Sequence, residues 1–297
     1  MSNKLRKMTL EKKHNLTGWA FLAPATFLIA VFSFWPMIKA LVLSFQTGKG
    51  RNMQMAGFTN YIRMFQDDVF IQSIKNTFFY FILQVPIMLV VALVLACILN
   101  KKDLRFKGFF RTMIFLPCTT SLVAYSIIFR SLFANDGLVN YVLVNLGILD
   151  KPYNFLTQPF AAKIVIILAL LWRWTGYNMV FFLSGLQNIE YSVYEAAKID
   201  GASAIQTFFK ITVPLLKPTI LLTAIMSTNG TLQLFDESIN LTDGGPANAS
   251  ISMSHYIYNL CFKYVPNFGY AAAMSFFILL LVAVLAFIQM RVGDKRD

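Results

Sequence analysis

Residues 188–218 read NIEYSVYEAAKIDGASAIQTFFKITVPLLKP. Their punctuation predicts two short helices: Asn188 is an N-cap residue for the first and Gly201 supplies the break. Ser203 and Gln206 stand at capping-box spacing for the second, and Pro214 ends it. Within the second helix Ile205, Phe208 and Phe209 follow i, i+3, i+4 spacing, which gives one strongly apolar face to a segment too short to cross a bilayer. That face needs a partner. A lipid-surface helix and a docking helix both match the spacing. The polar side is less basic than membrane-surface helices usually are, and Glu195 and Asp200 can make charge-assisted contacts, which favours docking.

On both sides of this segment the chain is apolar. Of its 297 residues 57% are hydrophobic and 13% charged, against roughly 45–50% apolar and about 25% charged in soluble domains. A bilayer core of about 30 Å takes about 20 residues of helix at 1.5 Å each. Six runs qualify: residues 18–45, 76–100, 112–134, 161–186, 215–235 and 269–290. The expected organisation is one all-α membrane domain over 18–290, with a basic tail at 1–17, the segment 188–218 inserted between the fourth and fifth spans, and a short tail at 291–297. A secretory signal has an apolar region of about 7–15 residues. The first run is longer and more spans follow it, so it reads as an uncleaved helix.

The net charge of +12 would suggest nucleic acid in a soluble protein. Here Lys and Arg gather in short segments between spans, with no aromatic-basic platform, so no nucleic-acid partner is expected. Lys4, Arg6, Lys7, Lys12 and Lys13 precede the first span, Lys101, Lys102, Arg105, Lys107 and Arg111 follow the second, and Arg291, Lys295 and Arg296 follow the last. All fall on one side. Residues 135–160 carry only Lys151 against Asp136 and Asp150, and residues 236–268 only Lys263 against Asp236, Glu237 and Asp243. The positive-inside rule then places both termini and residues 188–218 in the cytoplasm. The loop with Lys49, Arg51, Arg63 and Lys75 fits less well, though Asp67 and Asp68 accompany it.

Several residues are costly in lipid. Arg173, in the middle of the fourth span, should face a cavity or a partner, unless the span is shifted and it snorkels. The fifth span packs Ser227, Thr228, Asn229, Gly230, Thr231 and Gln233 together, which suits either a pathway lining or interhelical hydrogen bonding. Pro24, Pro36, Pro86 and Pro117 bend or end helices. Cys97, Cys118 and Cys261, and His14 and His255, are too scattered for a disulfide framework or a metal site. Neither a catalytic constellation nor a GxxxxGK[ST] phosphate loop is visible.

The run EAAKIDGA (195–202) followed by ITVPLLKP (211–218) resembles the EAA coupling motif of bacterial ABC-importer permeases. An FLP start to the third span at Phe115, Leu116 and Pro117, and TDGGP at 242–246, extend the resemblance over nearly the whole chain. They point to the carbohydrate-uptake branch, similar to the maltose, lactose, multiple-sugar and glycerol-phosphate permeases. The resemblance implies a type I importer permease fold: six transmembrane helices and a cytoplasmic coupling-helix pair, with the common six-helix core alone. It also implies a second homologous permease, two ATPase subunits that use ATP and Mg, an extracytoplasmic solute-binding protein, and a bacterial cytoplasmic membrane. No cofactor is expected on this chain and no enzymatic step.

In that setting Glu195 would anchor a basic group of the ATPase, and Ala196, Ala197, Gly201 and Ala202 would permit close approach. Asp200 would cap or pair, Phe208 and Phe209 would fill the apolar contact, and Pro214 would close the segment. A sugar site interleaves hydrogen-bonding groups with aromatic faces. By resemblance to the maltose permease the pathway candidates are Ser227, Thr231 and Leu234 on the fifth span, Trp174 and Tyr177 on the fourth, and Ser121 and Leu122 on the third. Arg173 and Gln233 join them as intramembrane polar groups. Where that relative has amides this chain has Thr231 and Leu234, which leaves the ligand open. A phosphate ligand would call for basic groups in the pathway, where Arg173 is the one candidate, so a neutral di- or oligosaccharide is favoured over a glycerol phosphate or polyol. An ion-coupled secondary transporter would show intramembrane carboxylates and internal repeats, and the spans offer almost none.

Overall fold

The computed structural model describes residues 10–49, 52–101 and 103–293. The basic residues Lys4, Arg6, Lys7, Arg51, Lys102, Lys295 and Arg296 lie outside these. Helix α1 (Leu10–Ile29) runs through a π turn (Ala30–Phe34) into α2 (Trp35–Ser44). A small hairpin of β1 (Gln46–Lys49) and β2 (Asn52–Met55) and the short α3 (Thr59–Met64) lead into α4 (Asp68–Asn100). Then come α5 (Lys107–Thr119), α6 (Leu122–Leu132), α7 (Leu138–Asn145) and α8 (Pro159–Gln187). The segment 188–218 forms α9 (Tyr191–Ile199), α10 (Ala204–Thr207), a π turn (Phe208–Thr212) and α11 (Val213–Leu215). The chain ends with α12 (Lys217–Leu232), α13 (Asp236–Thr242), α14 (Met253–Tyr258) and α15 (Phe268–Gly293).

Among the described residues four helices are long and apolar enough to cross a membrane alone: His14–Ser44, Asp68–Asn100, Pro159–Gln187 and Phe268–Gly293. Two bent pairs raise the number to six, α5 with α6 at 98° and Ala204–Leu215 with α12 at 70°. The third expected span, 112–134, is therefore broken rather than continuous. Its hydrogen-bond ladder stops at Thr119, after Pro117 in the last turn of α5, and restarts at Leu122. The fifth span is shorter than expected, since α12 closes at Leu232 and residues 233–235 run on outside the helix.

Helices α4 and α8 lie against each other along their length and form the spine. One apolar cluster joins α3, α4, α14 and α15 around Phe70, Tyr270 and Met274, and a second joins α4, α6 and α8 around Tyr80, Tyr125 and Ile166. A third joins α4 and α8 with Leu216 just before α12. No described side chain of α1 is buried, whereas α2 packs on α15.

Asp67 ties one end of this bundle. One carboxylate oxygen accepts the Val69 and Phe70 amides at 2.9 and 3.1 Å, capping α4, and the other accepts the hydroxyls of Tyr256 and Tyr270 at 2.7 Å each. Burial raises its pKa, but these four donors outweigh burial and hold the carboxyl below its ordinary value. The loop after α13 is anchored the same way: Asn76 donates to the carbonyls of Asn248 and Ile251, and Tyr80 to that of Ser250.

Helix–helix approach in a membrane depends on small residues. A Cβ on Gly176 of α8 would overlap the Ile114 carbonyl of α5, and backbone cannot yield as a side chain does. Gly176→Ala should destabilise the fold by about 1–3 kcal/mol, read as a lowered Tm of the detergent-purified protein, whereas Gly18→Ala, with nothing near its added methyl, should leave Tm unchanged. His255 is fully buried, its Nδ1 2.9 Å from the Ser238 hydroxyl. Burial pushes its pKa from 6.5 down to about 4, against the opposing field of Asp243. The stability from keeping His255 neutral is complete above pH 6.5 and is lost as pH falls from there towards 4. Across that window wild-type Tm should fall more steeply than that of His255→Gln; parallel slopes would contradict this.

Candidate functional site

Where α6, α8 and α12 meet the chain after α12, a cavity of about 350 Å³ opens, within the range of about 300–1,000 Å³ usual for small-molecule sites. One turn of α8 supplies Arg173, Trp174, Tyr177 and Asn178, and α12 supplies Met226, Ser227, Gly230 and Thr231. Leu122 and Met88 reach in from α6 and α4, and residues 233–237 close the end. The rings of Trp174 and Tyr177 stand 5.8 Å apart at 87°, so they present apolar surface in two directions. Between them and α12 lie the amides and hydroxyls.

Those polar groups are braced. Ser227 donates to Asn178 Oδ1 at 3.3 Å, Asn178 Nδ2 donates to the Trp174 carbonyl at 3.0 Å, and Thr231 donates to Gln84 Oε1 at 2.9 Å. Gln289 of α15 donates to Thr228 at 2.7 Å. The polar run on α12 thus does both things its composition allowed: it ties α4, α8 and α15 together and lines a cavity.

Arg173 is buried, 6% exposed. Its Nη1 donates to the Thr120 carbonyl at 2.9 Å and its Nη2 approaches the Cys118 carbonyl at 3.5 Å. The guanidinium sits 4.8 Å from the Tyr125 ring and 5.4 Å from that of Trp174. The break after α5 strands carbonyls at a helix C-terminus, where a cation is favoured, and Arg173 fills that place. It neither faces lipid nor snorkels. Its Nε is left without a partner. On the far side of Tyr125, the phenol donates to Glu237 Oε1 at 2.5 Å. Burial raises the Glu237 pKa, with the Tyr125 hydrogen bond and Arg173 acting the other way.

Leu122, Arg173, Trp174, Tyr177, Ser227, Thr231, Gln233 and Leu234 all border this one cavity. Ser121 does not: it is exposed at the helix break, where it precedes the first turn of α6. Sequence reasoning passed over Asn178, Asp236 and Glu237. Asn178 stands four residues beyond Trp174 and so on the same face of α8, and the acidic pair directly follows a polar span end, so both carried a usable signal.

Beyond Asn178, α8 continues for about 14 Å to the segment 188–218. Asn188 closes α8 rather than opening α9, whose N-cap is Glu190, because α8 runs on to Gln187. Gly201 takes the left-handed conformation with φ +76°. The Gly201 amide donates to the Lys198 carbonyl and the Ala202 amide to the Ala197 carbonyl at 2.9 Å, a Schellman closure. Ser203 and Gln206 form both bonds of the capping box. Pro214 lies in the last turn, one residue before the end at Leu215. The expected apolar face divides: Phe208 packs into the cluster with Leu216, whereas Ile205 and Phe209 remain 72% and 65% exposed. Glu195, Ala196 and Asp200 are exposed and Ala197 is buried.

Residues 68–296 match the family model described as binding-protein-dependent transport system inner membrane component. The chain belongs to this family. As such it is a membrane-spanning permease component of a transport system. It is 52% identical over 292 residues to a lactose transport system permease protein of Rhizobium radiobacter, covering 98% of each chain. It is 34% identical to a multiple sugar-binding transport system permease protein of Streptococcus mutans over 97% of this chain and 99% of that one. A crystal structure of a bacterial ABC transporter involved in import of the acidic polysaccharide alginate superposes with a TM-score of 0.84 at 24% identity, over 95% of this chain and 96% of that one. The type I importer permease fold is thereby established for this family member.

Arg173→Met keeps much of the volume but leaves the carbonyls at the break without their donors, at a cost of about 1–3 kcal/mol. Arg173→Lys supplies a point charge without a fork and should fall between Met and wild type. Thermal unfolding of the three proteins in one detergent checks the order, and equal Tm values would show that Arg173 does not hold the break.

Proposed function

We propose that this chain is one of two permease subunits of an ATP-driven importer, passing a neutral di- or oligosaccharide through the cavity beside Trp174 and Tyr177. The carrying observation is the cavity's composition: two crossed aromatic rings beside Asn178, Ser227, Thr231 and Gln233, the mixture of apolar faces and hydrogen-bonding groups that a sugar ring requires. The lactose and multiple-sugar permeases among its relatives support the same substrate class.

The remaining subunits in this reading are a second homologous permease, two ATPases that bind and hydrolyse ATP with Mg, and an extracytoplasmic solute-binding protein. A related transporter has been solved with an alginate pentasaccharide-bound periplasmic protein, which supports the last of these. The charge distribution along the sequence supports a bacterial cytoplasmic membrane with both termini inside. The segment 188–218 then faces the ATPase. Ile205 and Phe209 supply the exposed apolar contact, Glu195 and Asp200 the charges, and the Schellman turn at Gly201 fixes the angle between the two helices. ATP-driven closure can shift the permease only through contacts that differ between states, and this segment presents such contacts.

Co-purification with the ATPase and uptake of labelled oligosaccharide test this directly. Glu195→Ala, and Gly201→Asp, which forces a β-carbon into a left-handed position, should insert normally yet lose ATPase association and reduce uptake by at least about tenfold, the equivalent of about 1.4 kcal/mol. Unchanged association and uptake would mean the segment is only a structural loop.

A further inference from the structure

The turn between α4 and α5 is basic, exposed and strained, and the sugar pathway makes no use of it. Lys101, Arg105, Lys107 and Arg111 stand there with Asp103 as the one carboxylate. Lys101, Arg105 and Lys107 form no ion pair among the described residues. Between them Phe106 takes the left-handed conformation at φ +59°, which is uncommon and costly for an aromatic residue. The turn is pinned on both sides of it. Leu104 packs on the cluster of Leu99 and Leu186, the Phe110 amide donates to the Phe106 carbonyl at 3.1 Å, and Arg111 Nη2 donates to the Leu99 carbonyl at 3.1 Å. Phe106 itself is 77% exposed, so the chain offers its ring little contact to offset the strain.

Phe106, Phe109, Phe110, Met113 and Leu116 are all exposed and recur at i, i+3, i+4, i+7 and i+10, one stripe along α5, while Ile114 and Pro117 turn inward. Phe106 extends that stripe beyond the start of the helix, beside Arg105 and Lys107. On a membrane span such a stripe faces acyl chains, aromatic rings gather at the bilayer boundary, and basic groups just past the span attract the anionic headgroups of the cytoplasmic leaflet. Resting on the orientation proposed above, we infer that Lys101, Arg105, Phe106 and Lys107 form a binding site for an anionic phospholipid of that leaflet. The three cations meet the phosphate and headgroup charge, and the rings of Phe106, Phe109 and Phe110 lie along the glycerol and acyl region. Charge complementarity selects this occupant: a neutral lipid would leave the cations unmatched, and an apolar protein surface would bury them at a cost. The bound lipid also steadies Leu104, which shares its apolar cluster with Phe208 of the segment 188–218.

Thermal unfolding of the assembled, delipidated transporter in detergent, titrated with phosphatidylglycerol or phosphatidylcholine, provides the test. Detergent exposes both faces and neither sugar nor ATP enters, so failure of the proposed function or orientation would not by itself abolish the response. Phosphatidylglycerol should raise Tm saturably, whereas phosphatidylcholine or inorganic phosphate at the same concentration should not. Arg105→Gln and Lys107→Gln should each raise the half-saturating phosphatidylglycerol concentration about fivefold, and Lys151→Gln, in the loop 135–160, should leave it unchanged. Phe106→Gly should weaken the lipid response and keep the lipid-free Tm, because glycine takes the left-handed conformation without steric cost. A lowered lipid-free Tm with an unchanged lipid response would make Phe106 a residue of the fold and remove it from the site. Equal half-saturation in wild type and the Arg105→Gln/Lys107→Gln double variant, or an equal response to both lipids, overturns the site. A response that appears only after the ATPase subunits are stripped away would assign the patch to a protein contact and overturn it as well.

Discussion

A single guanidinium in the middle of α8 holds the rest of the membrane domain in order. Helix geometry leaves the last carbonyls of any helix without partners, and inside a bilayer no water can take them. The α5–α6 pair ends one helix and begins another within the depth of the domain, with a 98° bend between them. Arg173 supplies the donors at that point. A continuous helix would need no such charge, and an arginine there without a break would have nothing to bond. The buried charge and the broken helix stabilise each other, and the cavity forms beside them because α6 turns away from α8 at this place.

From that point two lines run out. One passes through Tyr125 to Glu237 and the end of α12, and sets the chemistry of the cavity wall. The other runs down α8, packed so closely on α5 that Gly176 has no room for a methyl group, to the capped helix pair at 191–215. A displacement of that pair must pass along α8 and α12, which enclose the cavity between them. The cavity and the segment 188–218 are thus joined by two helices, α8 and α12.

Much of this was legible in the sequence, and the remainder was hidden for physical reasons. Length and hydropathy located the apolar runs, since a bilayer imposes a minimum length on them, although α4 begins at Asp68, eight residues before the expected start at 76. Gly201, Ser203 and Gln206 announced their turn and cap, because those motifs are local. The break in the third span was not legible: Pro117 signals a bend, but only the tertiary placement of Arg173 makes a full interruption stable. Phe208 and Phe209 looked equivalent by spacing, yet only Phe208 packs on the cluster with Leu216 while Phe209 stays exposed. Glu237 escaped notice because it lies five residues past the end of α12 and reaches the cavity only through the fold of α13 over α6.

The central claim is that sugar passes through the cavity between α8 and α12. The most direct measurement is sugar-protected alkylation of a cysteine placed at Ser227, in a chain whose Cys97, Cys118 and Cys261 have been replaced. Uptake into proteoliposomes with ATP on the ATPase side should be blocked by a small thiol reagent, and saturating sugar should slow the block. Full alkylation at position 227 with transport unimpaired, or a block that sugar does not slow, would contradict the account.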